Sequence, residues 1–244
     1  MVLTREKGKN DKVKMLLEDR GVHCLEVPMV ETEQGPDFER LSHVLQTEEF
    51  DWVCITSPEA ASVFIQGWEL AGKPDVNIAV VGKGTGKIFE ATGEPKLQPQ
   101  FTPTVANAEH FGPELPKLPK GSNTVLYPSS AKASTLLQDG LERRDFRVLR
   151  LNTYNTVTVK SVEAQTLEQA RQAKVVAIAS PSALKAWVQH VGQPVTSQMT
   201  IAAIGSTSAR AAEKLGLDRI LYPEEPGVDT FVETIIDALQ YDTT

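Results

Sequence analysis

Small hydroxyl and glycine residues follow several predicted strands of this 244-residue chain, at points where helices begin. Ser57-Pro58 and Ser180-Pro181 are typical of a helix that is capped by serine and starts with proline. Comparable strand-to-helix turns carry Thr85, Ser129, Ser130, Thr207, Ser208 and the threonines at 102 and 104. Free amides and the positive end of the helix dipole gather at such turns, so each is suited to a carboxylate or a phosphate. Any one of these residues is explained by helix capping alone, but together they predict an anion-binding crevice.

Other residue patterns give no catalytic constellation. The segment GKGTGK at 82–87 has neither the Walker A spacing nor the dinucleotide-binding spacing, and its counterpart GSTSAR at 205–210 lacks the glycines. The four histidines have no partners at metal-ligand spacing, and no Ser-His-Asp, Cys-His or paired-carboxylate set can be read from the chain. An enzyme of this kind would work by positioning and by backbone dipoles.

Composition excludes several classes of protein. Apolar residues make up 41% of the chain and charged residues 23%, as in a soluble globular protein. The net charge of −7 argues against a nucleic-acid or membrane-surface partner, since both require a positive field. Cys24 and Cys54 lie in unrelated apolar runs, which indicates buried thiols in a reducing compartment. Neither a membrane span nor a secretory signal is predicted, whereas a removed transit peptide is compatible with the sequence.

The chain contains an internal duplication. Three pairs of positions in similar local sequence are each separated by 123 residues: Ser57 and Ser180, Gly82 and Gly205, Leu3 and Leu126. A period this long indicates a doubled domain rather than a solenoid.

Each copy alternates short apolar strands with helices of 3.6-residue periodicity, which predicts two five-stranded, doubly wound parallel sheets. The predicted strands are 2–4, 24–30, 52–56, 78–81 and a weak one near 97, then 125–127, 148–151, 175–179, 201–204 and 220–222.

Two divisions of the chain fit this pattern. In a sequential division the chain is cut near Lys120-Gly121. In an exchanged division the strands before residue 31 join the last third of the chain, with ETEQGPDF (31–38) and YNTVTVKS (154–161) as paired linkers. Both divisions leave the same number of strands in each unit, so periodicity does not separate them.

An ordered set of motifs resembles the uroporphyrinogen-III synthase family, most closely its plant and cyanobacterial branch. The motifs are LTRE (3–6), ITSPEAASVF (55–64), VVGKGT (80–85), LYPSSAKA (126–133), LNTYNTV (151–157), ASPSALKAW (179–187) and AIGSTSARAA (203–212). The resemblance implies two flavodoxin-like α/β domains joined by a two-stranded linker, with the active site between the domains. The implied bounds are 1–31 plus 161–244, 36–154, and linkers at 32–35 and 155–160.

The resemblance also implies a reaction, which is cyclisation of hydroxymethylbilane with loss of water and inversion of ring D through a spiro-pyrrolenine. Because the substrate closes unaided to the uninverted isomer, such an enzyme mainly selects a path by holding the chain ends in near-attack geometry. No cofactor and no metal are implied. The expected protein is a soluble monomer with a transient contact to the preceding pathway enzyme. Its expected location is the cytoplasm of a bacterium, or the plastid stroma after removal of a transit peptide.

Site residues follow from the resemblance position by position. Tyr154 matches the linker tyrosine of the family and is the candidate donor to the departing hydroxyl; packing of the linker is the alternative role. The positions expected to bind carboxylate arms of the substrate are Arg5, Thr56, Ser57, Gly82, Thr85, Ser129, Ser180, Ser182, Gly205, Thr207 and Ser208.

A different class of protein fits the same architecture. Two doubled α/β lobes with a hinge also describe solute-binding or effector-binding proteins that have no catalytic activity. The missing signal peptide weighs against a periplasmic binder, and no helix-turn-helix region is evident. Product analysis with hydroxymethylbilane discriminates between the two interpretations.

Overall fold

The computed structural model of the chain describes residues 1–225 and 227–241. The strands in that part are β1 (Val2–Leu3), β2 (Leu25–Glu26), β3 (Val30–Gln34), β4 (Trp52–Ile55), β5 (Ile78–Val80), β6 (Pro99–Phe101), β7 (Thr124–Ser130), β8 (Arg147–Thr158), β9 (Val175–Ile178), β10 (Thr200–Ala203) and β11 (Ile220–Leu221). The α-helices there are α1 (Asp11–Glu18), α2 (Phe38–Thr47), α3 (Pro58–Leu70), α4 (Lys83–Glu90), α5 (Ala108–Glu114), α6 (Leu136–Glu142), α7 (Ala164–Arg171), α8 (Pro181–Val191), α9 (Gln193–Thr196), α10 (Ser206–Lys214) and α11 (Val228–Tyr241). Within these described residues no helix is long and apolar enough to cross a membrane.

The elements form two units, each built around its own sheet. The terminal unit comprises Met1–Glu31 and Thr156–Thr244, and the central unit comprises Thr32–Asn155. The sheet of the terminal unit has the strand order β11-β10-β9-β1-β2, and its strand pairs are parallel. The central sheet has the order β3-β8-β7-β4-β5-β6, with parallel pairing from β8 to β6. The predicted doubly wound α/β class is confirmed.

The two sequence copies exchange strands. Val2 in β1 pairs with Val176 in β9, so the first two strands share a sheet with strands from the last third of the chain. The second copy in turn gives β7 to the central sheet, where Trp52 pairs with Val125. Each sheet therefore takes two parallel strands from one copy and three from the other. The sequential division near Lys120 is wrong, and the predicted sharing of a sheet is confirmed.

Both sheets are covered on both faces, as parallel sheets require. In β4, Val53 and Ile55 pack into one core while Trp52 and Cys54 pack into a second core on the opposite face. In the terminal unit β9 alternates in the same way between two cores. The short apolar runs in the sequence are therefore strands with both faces buried, as predicted.

Two strands, β3 and β8, connect the units, and β3 is a sixth strand of the central sheet. Strand β3 lies beside β8, which is 12 residues long and includes residues 154–158 of the segment predicted as a linker strand. Gly35 donates its N–H to the Thr153 carbonyl at 2.8 Å, and Val159 donates to the Met29 carbonyl at 3.0 Å. The predicted count of five strands per sheet is thus right for the terminal unit and one short for the central unit.

Two predicted strands have different bounds in the structure. The run at 24–30 forms a strand only at Leu25–Glu26, and Pro28, which has no N–H to donate, lies before β3 begins at Val30. The weak strand near Leu97 is a 3₁₀ turn at Pro95–Leu97, followed by β6. Leu97 is nevertheless fully buried, which explains the apolar signal at that position.

Candidate functional site

The strand order of each sheet reverses at one place, and ligands of open α/β sheets bind at the carboxyl ends of the strands beside such a switch point. In the terminal sheet the reversal lies between β1 and β9, whose ends lead into Arg5 and Ser180. In the central sheet it lies between β7 and β4, whose ends carry Ser129 and lead into Ser57. The predicted hydroxyl residues therefore lie at the edge of each sheet where a ligand is expected.

Ser57 caps helix α3 in the way its sequence predicts. Its backbone is extended, its hydroxyl oxygen accepts the Ala60 N–H at 3.0 Å, and Pro58 occupies the first helical position. Thr56, half-buried, connects the end of β4 to this cap. A cap of this kind satisfies one amide of the first turn and leaves others at the positive end of the dipole.

The hydroxyl of Tyr154 reaches the same cap. Its oxygen lies 2.9 Å from the Ser57 hydroxyl oxygen, and either group can donate this hydrogen bond. The Tyr154 side chain is only 6% exposed and packs in the core formed by the sheet with α2 and α3. Burial raises the pKa of the Tyr154 phenol, and the hydrogen bond with Ser57 offsets part of this increase. The phenol is therefore neutral, and a hydrogen-bond donor, at physiological pH.

Three other predicted positions of the central unit lie inside the protein. Gly82 is buried before α4, and a side chain there would meet Ala106, 2.9 Å from its Cβ. Thr85 is buried in the first turn of α4, rather than in the turn that precedes the helix. Ser129 is 0% exposed and its hydroxyl oxygen has no hydrogen-bond partner among the described residues. The structure thus does not bring these two hydroxyls to the accessible edge beside Ser57.

The terminal unit repeats the capped turn. The Ser180 hydroxyl oxygen accepts the Ala183 N–H at 3.2 Å and lies 3.0 Å from the hydroxyl oxygen of Ser182, which is exposed. After β10, Gly205 adopts an extended backbone and precedes α10. Within the first turn of that helix, the side chain of Thr207 is exposed whereas that of Ser208 is buried.

Arg5 lies two residues after the end of β1, on the other side of the switch point from Ser180. Its carbonyl accepts the Asn10 side-chain amide at 3.3 Å. Before it, the Thr4 hydroxyl donates to the Ala177 carbonyl at 2.6 Å and so ties the end of β1 to β9. Thr4 was not predicted as a site residue, because a hydroxyl at a strand end carries no signal of which strand lies beside it.

Gly35 and Asp37 of the central unit were also missed as site residues, although they contact the strand that carries Tyr154. The Asp37 carboxylate accepts the Asn152 N–H at 2.9 Å, and the Asp37 N–H donates to the Asn152 carbonyl at 3.1 Å. The backbone hydrogen bond from Asn152 is the main reason that the pKa of Asp37 lies below its ordinary value, with a smaller effect from Arg40. The signal in the sequence was the turn-forming Gly-Pro-Asp at 35–37.

In the part of the chain that the structure describes, the thiols and the acidic residues form no metal centre. Cys54 is fully buried, and burial raises the pKa of its thiol well above the ordinary value, which makes it a packing residue. Among residues 1–225 and 227–241, no group of three or more His, Cys, Asp and Glu side chains is placed to bind a metal ion. The chemistry of the described site is therefore that of hydroxyls, one phenol and helix N-termini.

Comparison with known proteins identifies the family. Residues 11–233 match the family model described as uroporphyrinogen-III synthase HemD. The chain is 48% identical over 243 residues to the chloroplastic uroporphyrinogen-III synthase of rice, covering 98% of this chain and 80% of the rice protein. At the level of the fold it resembles uroporphyrinogen-III synthetase of Helicobacter pylori, with TM-score 0.63, 16% identity, and coverage of 87% of this chain and 92% of the other.

A second solved structure, a mutant uroporphyrinogen III synthase of Thermus thermophilus, gives TM-score 0.57 at 16% identity, with 98% of each chain covered. Identities this low show the shared two-domain α/β fold and nothing at the level of single residues. The family model and the rice relative, which both cover most of the chain, carry the assignment. The chain belongs to the uroporphyrinogen-III synthase family.

Proposed function

We propose that this chain is a uroporphyrinogen-III synthase that converts hydroxymethylbilane into uroporphyrinogen III. The C–OH bond at one end of the linear tetrapyrrole breaks, and the hydroxyl leaves as water after taking up a proton. The substituted carbon of ring D attacks the resulting cation to form a spiro intermediate, which fragments and closes again with ring D inverted. A proton lost from the pyrrole carbon at closure balances the proton that left with water.

One structural observation supports the site of this chemistry, namely the Tyr154 hydroxyl 2.9 Å from the Ser57 hydroxyl at a switch point. In this proposal Tyr154 donates a hydrogen bond to the departing hydroxyl, and Ser57 orients the phenol. Because burial raises the pKa of Tyr154, the group stays protonated and available as a donor. Its partner Ser57 is itself fixed by the Ala60 N–H, so the donor is held before substrate arrives.

The carboxylate arms of the substrate are the proposed ligands of the capped turns. Ser57 and Thr56 would bind an arm at the N-terminus of α3, and Ser180 with Ser182 would bind one at the N-terminus of α8. Gly205 and Thr207 offer the backbone and hydroxyl groups of a third turn. Arg5 adds the positive charge that an overall charge of −7 does not supply. Gly82, Thr85, Ser129 and Ser208 would contribute backbone amides or shape, since the three hydroxyls among them are buried.

The chain bounds belong to the proposal as well. We take 1–31 with 161–244 and 36–154 as the two domains and residues 32–35 and 155–160 as the linkers between them. We further propose that the protein acts as a monomer, with a transient contact to the enzyme that supplies its short-lived substrate. For the compartment, the chloroplastic rice relative supports the plastid stroma; the alternative is the cytoplasm in a bacterium.

A product analysis tests the function. The purified protein is mixed with freshly made hydroxymethylbilane, and the product isomers are separated after oxidation to the porphyrins. We expect the inverted isomer to form faster than spontaneous closure produces the uninverted one. If only the uninverted isomer forms, at the spontaneous rate, the protein is a binder of the two-lobed class and the proposal is wrong.

A further inference from the structure

One extra residue lies in β8 opposite β7, near the carboxyl ends of both strands. Ser129 is paired with Asn152, but the next residue, Ser130, is paired with Tyr154, so Thr153 has no counterpart on β7. A β-bulge of this kind bends its strand and changes the direction of the side chains that follow. Bulges are rare between parallel strands and common beside active sites.

The bulge determines which face of the sheet carries Tyr154. Leu149 and Leu151 pack into the core that the central sheet forms with α2 and α3. Since side chains alternate between faces with period two, an unbroken strand would place residue 153 in that core and residue 154 on the opposite face. With Thr153 as the extra residue, Tyr154 instead lies on the same face as Leu151, which is the face of Ser57 and α3.

The segment 35–37, here called the clamp, lies against the bulge. Its Gly35 N–H and Asp37 carboxylate bind the Thr153 carbonyl and the Asn152 N–H, as described above. A Cβ on Gly35 would contact the Asn152 carbonyl oxygen and would lie 2.7 Å from the Tyr154 nitrogen and 2.8 Å from the Thr153 carbonyl carbon. The backbones approach so closely that only glycine fits at this position.

The bulged geometry leaves polar atoms unsatisfied. The side-chain oxygens of Asn152, Thr153 and Ser129 are buried without a hydrogen-bond partner among the described residues. Thr153 is moreover 0% exposed. Unsatisfied buried groups of this kind are destabilising, and they concentrate where strain has a functional use. A regular strand would remove the bulge, but it would also turn Tyr154 away from Ser57.

We propose that Gly35 and Asp37 are positioning residues for Tyr154, because they hold the bulge at Thr153 that directs the phenol to Ser57. The inference rests on the function proposed above for Tyr154, but it concerns a separate property, which is the position of the Tyr154 ring relative to Ser57. That property is measurable without substrate.

The test uses the full chain with 3-fluorotyrosine in place of its four tyrosines. Fluorine-19 spectra are recorded against pH, and the Tyr154 resonance is assigned by its loss in Tyr154→Phe. In the parent protein the Tyr154 resonance should titrate at higher pH than free 3-fluorotyrosine, because burial raises the pKa of Tyr154. In Gly35→Ala the Tyr154 resonance should titrate at lower pH than in the parent, close to free 3-fluorotyrosine, and adding Ser57→Ala should no longer move it.

Matched variants separate the clamp from general destabilisation. Gly140→Ala adds the same methyl group within helix α6, where its nearest contact is an ordinary 3.7 Å, and should leave the Tyr154 titration unchanged. Asp37→Ala removes only the carboxylate of the clamp, and Arg40→Ala removes the ion pair at 2.6 Å while leaving the clamp intact. We expect Asp37→Ala to shift the Tyr154 titration and Arg40→Ala to leave it unchanged.

The effects of Gly35→Ala and Tyr154→Phe on kcat should not be additive. Gly35→Ala should lower kcat about 10²-fold, as expected for loss of general-acid assistance. Adding Tyr154→Phe to Gly35→Ala should then change kcat by less than about 3-fold, because both remove the same interaction. The inference is overturned if folded Asp37→Ala and any folded Gly35→Ala leave the Tyr154 titration as in the parent. If Tyr154→Phe keeps full kcat while the clamp variants shift the titration of the Tyr154 resonance, the clamp positions Tyr154 but Tyr154 has no catalytic role.

Discussion

Ser57 and Ser180 provide a matched pair of variants inside one chain. They lie 123 positions apart in the two copies, each precedes a proline at the first helical position, and each caps its helix through the hydroxyl. They differ in their second hydrogen bond, which joins Ser57 to the buried Tyr154 and Ser180 to the exposed Ser182. Replacing each serine with alanine therefore removes the same helix cap in both cases, but it removes a hydrogen bond to a buried group only at Ser57.

The expected loss of stability follows from these contacts. Removing a serine cap typically costs about 1 kcal/mol, and this should be most of the effect of Ser180→Ala, since Ser182 can bond to water. Ser57→Ala also leaves the Tyr154 hydroxyl buried without a partner, which costs a further ~1–3 kcal/mol. We therefore expect Ser57→Ala to lower the free energy of unfolding by about 2–4 kcal/mol, two to four times the effect of Ser180→Ala.

The kinetic contrast is the more specific result. Ser57→Ala should lower kcat about 10-fold, because the phenol loses the group that orients it for a proton transfer made only in the transition state. Ser180→Ala should mainly raise KM, because a carboxylate arm is bound equally in the ground state and the transition state. Denaturant unfolding and isomer-resolved kinetics at a temperature where both variants are folded measure the two effects. If both variants lose the same stability and show the same change of kcat, the contact of Ser57 with Tyr154 contributes to neither property and the prediction is wrong.

Three further predictions concern single groups. Tyr154→Phe should lower kcat about 10²-fold with KM nearly unchanged, and a kcat close to that of the parent would make Tyr154 a packing residue. Because its hydrogen bond from Asn152 lowers the pKa of Asp37, the stability from this carboxylate is present above the ordinary pKa of about 3.9 and is lost as pH falls through the lower folded value. Denaturant midpoints between pH 2 and 7 should therefore fall less steeply with acid in Asp37→Ala than in the parent. Cys54, whose thiol pKa is raised by burial, should resist iodoacetamide at pH 7 until the protein unfolds, and modification of the native protein would contradict its placement.

Local features of the fold could be predicted because they are encoded locally. The dipeptides Ser57-Pro58 and Ser180-Pro181 specify a cap and a first helical residue within a few positions, and both helices begin where the sequence indicates. The 123-residue offset similarly survives as paired elements, since α3 and α8 begin 123 positions apart at Pro58 and Pro181.

The exchange of strands could not be derived from periodicity. Both divisions give the same pattern of apolar runs, and the choice depends on whether Val2 packs beside Val176 or within its own copy. That is a long-range preference between similar surfaces, so family resemblance and not the hydrophobic pattern favoured the correct division.

The geometry at Tyr154 was hidden for a related reason. Strict alternation along LNTYNTV would direct Tyr154 away from Ser57, and nothing within the strand itself marks Thr153 as the extra residue. The bulge depends on Gly35 and Asp37, which lie more than 100 positions away in the chain. Burial of Ser129 was missed because a hydroxyl at a strand end is compatible with either face. Burial of Thr85 was missed because Thr85 lies within the first turn of α4 and not in the turn before that helix.

A competition between the protein and spontaneous closure measures whether the protein directs the inversion of ring D. Hydroxymethylbilane is mixed with increasing concentrations of the protein, and the fraction of inverted isomer is measured after all the substrate is consumed. We predict that this fraction rises from near zero toward one for the parent, and that Tyr154→Phe needs about 10²-fold more protein to reach the same fraction. A fraction that stays at the spontaneous value at every protein concentration would contradict this prediction.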